Sequence, residues 1–312
     1  MTKILVTGGA GNVGGALVRR LVQNPEYEVT VADNFSTGEK WKLPDQSLPN
    51  FRFIKADVNV VKDIGAVMTS FQFDYVFHYA AVVGVKRTLE NPIAVLNDID
   101  GIRNILTLSK NTGVRRVFFS SSSEVYGEPV EIPQNEETTP LNSRLPYAIV
   151  KNLGEAYFRA FHQEHELNYT IFRFFNTYGP LQSEDFVITK FVRQALAGEP
   201  ITIYGDGSQT RTFCYVDDNI EATVKAFEEG KFVNDVINIG SSKEITIKEL
   251  AEKVIAAVGS SSELIHLPPL AEGDMRRRCP DNSKMLALLG REPLSLEEGL
   301  GRTVEFLKSQ DS

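Results

Sequence analysis

An apolar run, Ile4-Leu5-Val6-Thr7, passes straight into Gly8-Gly9-Ala10-Gly11-Asn12-Val13-Gly14, and helical spacing of apolar residues begins inside that loop. Glycines let a backbone turn tightly and come close to a pyrophosphate. A helix starting there offers the anion free amides and the positive end of its macrodipole. A glycine-rich turn with no ligand is the plain alternative, and the glycines alone do not separate the two. Their context does: the loop leaves a first strand and opens a helix. Asp33 then ends a second strand about twenty residues on, where an acid accepts from an adenosine ribose. A carboxylate there disfavours a 2′-phosphate, so NAD is expected rather than NADP. Gly8, Gly11, Asn12, Val13, Gly14 and Asp33 are the expected contacts. Asp57 and Val58, after a third strand, can frame the adenine, although Asp57 reads equally as a turn residue.

Short apolar runs recur at Ile4 to Thr7, Val29 to Ala32, Phe51 to Ala56, Tyr75 to His78, Val117 to Ser120 and Thr170 to Phe174. Continuous apolar character suits strands covered on both faces, as in a parallel sheet. The segments between them, among them Val13 to Val22, Pro92 to Asn111 and Ala148 to His165, have helical spacing and the length to cross over. This order predicts an α/β chain with a doubly wound parallel Rossmann-type sheet. The rhythm then loosens into a helix near Val187 to Ala197, strands near Ile201 and Val236, and helices at Ile247 to Val258 and Leu296 to Leu307. The expected division is a Rossmann domain over 1–180, with returning segments near 213–240, and a smaller C-terminal substrate-binding lobe over 181–312.

With 33 basic and 41 acidic residues the chain carries a net charge of -8, which speaks against nucleic acid or an anionic membrane as partner. An anionic ligand must therefore find a local basic pocket. No stretch approaches the roughly 20 apolar residues of a membrane span, and the opening run is too short for a signal sequence, so a cytoplasmic location is expected. Cys214 and Cys279 are too few for a disulfide framework, and the four histidines form no metal-binding pattern. No metal is expected.

Tyr147 and Lys151 stand one helical turn apart, on one face. A phenol is a poor base at its ordinary pKa near 10. Bringing it to 7 takes about 4 kcal/mol at roughly 1.36 per unit, which a neighbouring ammonium can help to supply. The fifth strand ends in Ser120-Ser121-Ser122-Ser123-Glu124-Val125-Tyr126-Gly127 and delivers hydroxyls to a strand's carboxyl end, where doubly wound folds bind ligands.

Together these segments resemble the extended short-chain dehydrogenase/reductases of the nucleotide-sugar epimerase, dehydratase and decarboxylase family. The resemblance covers nearly all 312 residues. It is carried by the glycine loop, Asp33-Asn34-Phe35-Ser36-Thr37-Gly38, His78-Tyr79-Ala80-Ala81, the serine-rich strand end, and Tyr147 to Lys151. Arg173-Phe174-Phe175-Asn176-Thr177-Tyr178-Gly179-Pro180 and Tyr204-Gly205-Asp206-Gly207-Ser208-Gln209-Thr210-Arg211 complete it. Asn12 replaces an aromatic, Tyr79 an aliphatic and Asp98 an Asn of the family pattern. The resemblance implies that Tyr147 takes the sugar C4 hydroxyl proton as hydride passes to NAD, that Lys151 holds the nicotinamide ribose, and that Ser122 bonds the reacting oxygen. It adds Asn34 and Ala80 to the cofactor contacts. It assigns Arg87, Ser123, Asn176, Arg211, Arg276 and Arg278 to a substrate that is expected to be UDP-linked. Arg277 reads equally as part of a solvated basic turn.

A 4-keto sugar can be epimerised, dehydrated or, as a β-keto acid, decarboxylated. Glu124 stands where lyases of the family carry an acid or base, and Arg278 matches an arginine that its decarboxylases use. Ser123, where the 4,6-dehydratases have an Asp, argues against that subgroup. Gly84-Val85-Lys86-Arg87-Thr88 with Asn91-Pro92 resembles the epimerase substrate loop. A 4-epimerase is the first expectation and UDP-glucuronate decarboxylase, or another nucleotide-sugar lyase using Glu124, the second; a non-catalytic NAD-binding protein and a reductase that releases NADH each turnover are the remaining alternatives. The resemblance also implies a homodimer paired through the helices at Pro92 to Asn111 and Ala148 to His165, a four-helix interface.

Overall fold

Six strands in the first half, β1 (Thr2–Thr7), β2 (Tyr27–Asp33), β3 (Phe51–Lys55), β4 (Tyr75–His78), β5 (Arg116–Ser122) and β6 (Asn168–Phe174), lie parallel in one sheet. The computed structural model describes residues 1–84, 88, 90–268 and 277–310. After the short strands β7 (Thr177–Tyr178), β8 (Ile201–Tyr204), β9 (Thr210–Thr212) and β10 (Cys214–Tyr215), β11 (Asp235–Ile239) returns and pairs with β6. The strand order is β11-β6-β5-β4-β1-β2-β3. Crossovers run one way from β1 to β2 and β3 and the other way from β4 onward, so a crevice opens between the carboxyl ends of β1 and β4. That is where such sheets take ligands.

The core explains the pattern. Every residue of β5 is buried, and the strand can be so apolar because helices cover both faces of the sheet. On one face lie helices α1 (Asn12–Leu21) and α6 (Val216–Glu228), with Leu17, Val18, Ile220 and Val224 in a single apolar cluster that also takes in Phe191 of α5 (Val187–Leu196). On the other lie α2 (Val61–Phe71), α3 (Pro92–Thr112) and α4 (Pro146–His165), with Ile64, Ile102, Ile105 and Phe158 in a second. Pro92 and Pro146 start α3 and α4 in the first helical turn, where a missing amide hydrogen costs nothing. Strand β5 begins at Arg116, earlier than the sequence predicts, because this buried guanidinium lies over the Phe118 ring and donates to Thr170 and to the Ala226 carbonyl.

The second half adds a two-stranded pair of β8 with β13 (Leu264–Leu267) and another of β9 with β12 (Glu244–Thr246). Helix α7 (Ile247–Val258) begins in a capping box: Thr246 accepts from the Glu249 amide, and the Glu249 side chain accepts from the Thr246 amide. The chain ends in α8 (Ser283–Leu289) and α9 (Leu296–Gln310). None of the described helices is long and apolar enough to cross a membrane.

Candidate active site

A cavity of about 590 Å³ occupies the crevice at the carboxyl ends of the sheet. At one end the β1–α1 loop forms its floor. Gly8 has φ +72, and a Cβ there would sit 2.6 Å from the Ala80 amide; a Cβ on Gly14 would sit 2.2 Å from the Gly8 carbonyl oxygen. Only glycine lets these backbones close up and present amides to a ligand. Asp33 ends β2 and accepts from the amides of Ala10 (3.0 Å) and Phe35 (2.8 Å), tying the second strand to the loop. Asp57 is a turn residue that also lines the cavity. Its Oδ1 accepts from the Asn59 amide at 2.8 Å as a turn residue does, its Oδ2 accepts from Asn34 Nδ2 at 3.0 Å, and it lines the cavity with Val58 and Ala80.

These residues fit a dinucleotide. The Asn12 Oδ1 at the start of α1 is buried with no hydrogen-bond partner, in the wall beside Gly11, Val13 and Gly14. A buried acceptor needs a donor, and a ribose hydroxyl or a water on a pyrophosphate supplies one.

At the other end, the carboxyl end of β5 and the first turns of α4 bring the reacting groups together. Ser122, Ser123, Glu124, Tyr147 and Lys151 share one wall. The Ser122 hydroxyl accepts from the Glu124 amide at 3.2 Å and opens the 3-10 turn Ser123–Tyr126. Lys151, 3% exposed, donates to the Ser120 carbonyl at 2.6 Å, and its Nζ lies 5.7 Å from the Tyr147 ring centre. Burial pushes this ammonium down to about 8, partly offset by the Asp98 carboxylate.

The Tyr147 phenol departs from the sequence expectation. Burial raises its pKa above the ordinary value, the charges of Glu124 and Asp98 raise it further, and the Ser122 hydrogen bond opposes them. Burial outweighs the one hydrogen bond, from Ser122, that is seen to lower it.

Glu124 is held in an ion pair. Arg278 Nη1 donates to Glu124 Oε1 at 2.6 Å and Nη2 to Oε2 at 2.9 Å, the paired geometry in which a guanidinium holds a carboxylate best. Both residues line the cavity, and the Arg278 side chain is 5% exposed. Asn176, at φ +32 after β6, also lines it and donates from Nδ2 to the Thr212 carbonyl.

Not every expected substrate contact is gathered here. Arg211 lies on β9, donates to the Thr210 carbonyl, and is absent from the described cavity wall. Arg277 is exposed and paired with Glu244, as in a solvated basic turn. Arg87 and Arg276 lie outside the described residues. Asp98 is the wall residue that the sequence pointed to only as a departure from pattern. Its Oδ2 accepts from the Val82 amide at 2.7 Å, and its charge is felt by both Lys151 and Tyr147. An acid on the inner face of α3 was the signal. Among the described residues no group of three or more His, Cys, Asp or Glu could hold a metal ion.

Residues 4–240 match the sequence model of the NAD dependent epimerase/dehydratase family. The chain is 36% identical to the UDP-N-acetyl-alpha-D-glucosaminuronate decarboxylase of Bacillus cytotoxicus, over 98% of each chain. It superposes on the UDP-glucose 4-epimerase of Thermotoga maritima, solved with UDP-glucose, with a TM-score of 0.93 and 34% identity over 100% of both chains. With the Thermus thermophilus UDP-glucose 4-epimerase, solved with NAD, the TM-score is 0.90 at 30% identity, covering 98% of this chain and 99% of that one.

Proposed function

Because the chain belongs to the NAD-dependent epimerase/dehydratase family, we propose that it oxidises C4 of a UDP-linked uronate and releases C6 as carbon dioxide. The observation that carries this reading is the two-point Glu124–Arg278 pair in the wall that also holds Tyr147. The glycine loop, Asp33, Asn34, Asp57, Val58, Ala80 and Lys151 would hold NAD, which would supply the reversible two-electron acceptor for C4. Tyr147 accepts the O4 proton at its phenolic oxygen, and the Ser122 hydroxyl donates to the same sugar oxygen. The resulting C4 ketone is β to the C6 carboxylate. When the C5–C6 bond breaks, its electron pair passes into the C4–C5 enolate, and charge collects on O4. Ser122 and Tyr147, two donors fixed by β5 and α4, stabilise that charge. Arg278 supplies the cation that an acidic protein needs beside a carboxylate, and Glu124, freed as Arg278 turns to the C6 carboxylate, takes a proton from solvent and passes it to C5. Tyr147 then returns the proton to O4.

The second reading is 4-epimerisation, which uses Ser122, Tyr147 and Lys151 and leaves Glu124 a sugar contact. Its support is the whole-chain likeness to a 4-epimerase. Incubation with UDP-glucuronate, UDP-N-acetylglucosaminuronate, UDP-glucose and UDP-N-acetylglucosamine, followed by NMR and mass spectrometry, separates the two. The expected result is loss of carbon dioxide from a uronate. An inverted C4 at unchanged mass replaces it with the epimerase reading.

A homodimer is supported by the outer faces of α3 and α4, which pack side by side. Ile93 and Leu96 on α3, and Ile149 and Leu153 on α4, are each at least 41% exposed and form an uncovered apolar strip. The face of α4 that carries Tyr147 and Lys151 points the other way, into the cavity. Light scattering on a sizing column is expected to give twice the 34.7 kDa chain mass at micromolar concentration, and Leu153→Glu is expected to give the monomer. A monomeric parent protein rejects the interface. The free, buried thiols of Cys214 and Cys279 support a cytoplasmic setting.

A further inference from the structure

Glu155 lies on the same face of α4 as Tyr147 and Lys151, two turns and one turn further along, and is 0% exposed. A carboxylate there requires partners, and it has four contacts. Oε1 accepts from the Ser121 hydroxyl at 2.6 Å and from Arg173 Nε at 2.9 Å. Oε2 accepts from Arg173 Nη2 at 2.7 Å and from Arg159 Nη2 at 3.0 Å. Burial by itself would raise this carboxyl, but Arg173, with Ser121 and Arg159, holds it below the ordinary range.

Arg173, 1% exposed on β6, carries the connection onward. Its Nη1 donates to the Tyr126 hydroxyl at 2.8 Å and to the Glu136 carbonyl at 3.3 Å. Tyr126 closes the 3-10 turn that bears Glu124, and its hydroxyl donates to Asn238 Oδ1 on β11 at 2.7 Å. Asn238 Nδ2 donates to the carbonyls of Gln134 (2.9 Å) and Asp281 (3.2 Å). Gln134 in turn accepts from the Asp281 amide, and its own amide donates to the Cys279 carbonyl, both at 2.8 Å. The steps from Glu155 through Arg173 and Tyr126 to Asn238 and Gln134 are buried, and the whole network joins three separate stretches of chain: α4 with Tyr147 and Lys151, the turn with Glu124, and the segment that follows Arg278.

We propose that the Glu155–Arg173–Tyr126–Asn238 network positions the Glu124–Arg278 pair against Tyr147. It sets the second half of the reaction, after the C4 ketone has formed, and this rests on the decarboxylase reading above. None of the four touches the reacting atoms; they are positioning residues. A buried ion pair is no assured source of stability, because desolvation offsets its attraction, and one retained inside a core can instead fix a geometry. Arg173 is suited to that role: its planar fork reaches Glu155 with one edge and Tyr126 with the other, which a lysine cannot do.

The test is a partition measured on the purified enzyme loaded with NAD. Tyr126→Phe removes one oxygen and keeps the ring that packs on Phe175. With UDP-glucuronate and UDP-N-acetylglucosaminuronate, single-turnover absorbance reads C4 oxidation. NMR reads the ratio of 4-keto sugar to finished, decarboxylated product, and thermal unfolding is recorded beside both. Tyr126→Phe is expected to leave C4 oxidation within about threefold and to raise the ketone-to-product ratio at least about tenfold, since small misplacements of reacting groups cost factors of that size or more. Arg173→Lys, which keeps the charge on Glu155 and loses the reach to Tyr126, is expected to move the ratio the same way. A ratio unchanged in both variants, with activity falling only as the unfolding temperature falls, overturns the positioning role alone. Parent enzyme that decarboxylates neither uronate overturns the function and the positioning role together.

Discussion

Tyr147→Phe is expected to lower turnover at least about a hundredfold while leaving NAD binding in place, the lower end for removing a positioned acid–base group. The substitution deletes the phenolic oxygen that is hydrogen-bonded to Ser122 and keeps the ring beside Lys151. Hydride cannot leave C4 until a base takes the O4 proton. Lys151 is engaged by the Ser120 carbonyl, and Glu124 is engaged by Arg278. Burial, Glu124 and Asp98 raise the Tyr147 pKa, and the Ser122 hydrogen bond opposes them. The measurement is kcat at saturating substrate, with NAD affinity by calorimetry as the control. Near-normal turnover would remove Tyr147 from the role of base.

Glu124→Gln is expected to act on the other half of the reaction. Glutamine keeps the shape and one acceptor for Arg278, but it loses the charge and the ability to carry a proton to C5. C4 oxidation is expected to continue, finished product to fall by about a hundredfold, and a 4-keto sugar to accumulate and be visible by NMR. Product formation at the parent rate would sink the lyase role of Glu124. The same variant in an epimerase would turn over normally, so the outcome also bears on which branch the enzyme follows.

The parallel sheet was legible because its strands are apolar on both faces, and the cleft because glycines, an acid and hydroxyls end successive strands. What escaped was charge in the interior. Arg116 fell just outside the expected fifth strand, and the burial of Glu155 and Arg173 within their expected helix and strand was not anticipated, because a lone charge gives no sign of its partner. Their partners lie on other strands and helices, at separations no local pattern spans. Short strands such as Thr210–Thr212 and Cys214–Tyr215 were illegible for a related reason: too few residues alternate to set a period. The Tyr147 to Lys151 spacing was read correctly as one helix face, but spacing says nothing of solvation. Burial, not the neighbouring ammonium, dominates the phenol.

The position of β11 beside β6 carries a consequence for how the molecule comes into being. Until residues through Ile239 have left the ribosome, β6 is the rim of an unfinished sheet, with the backbone groups of Tyr169, Ile171, Arg173 and Phe175 on that side unclaimed. An open rim of that kind can be copied by a neighbouring nascent chain. The Asn234 side chain and amide, which bond the Tyr169 amide and carbonyl at 3.0 and 2.7 Å, are the first groups of the returning segment to seal it.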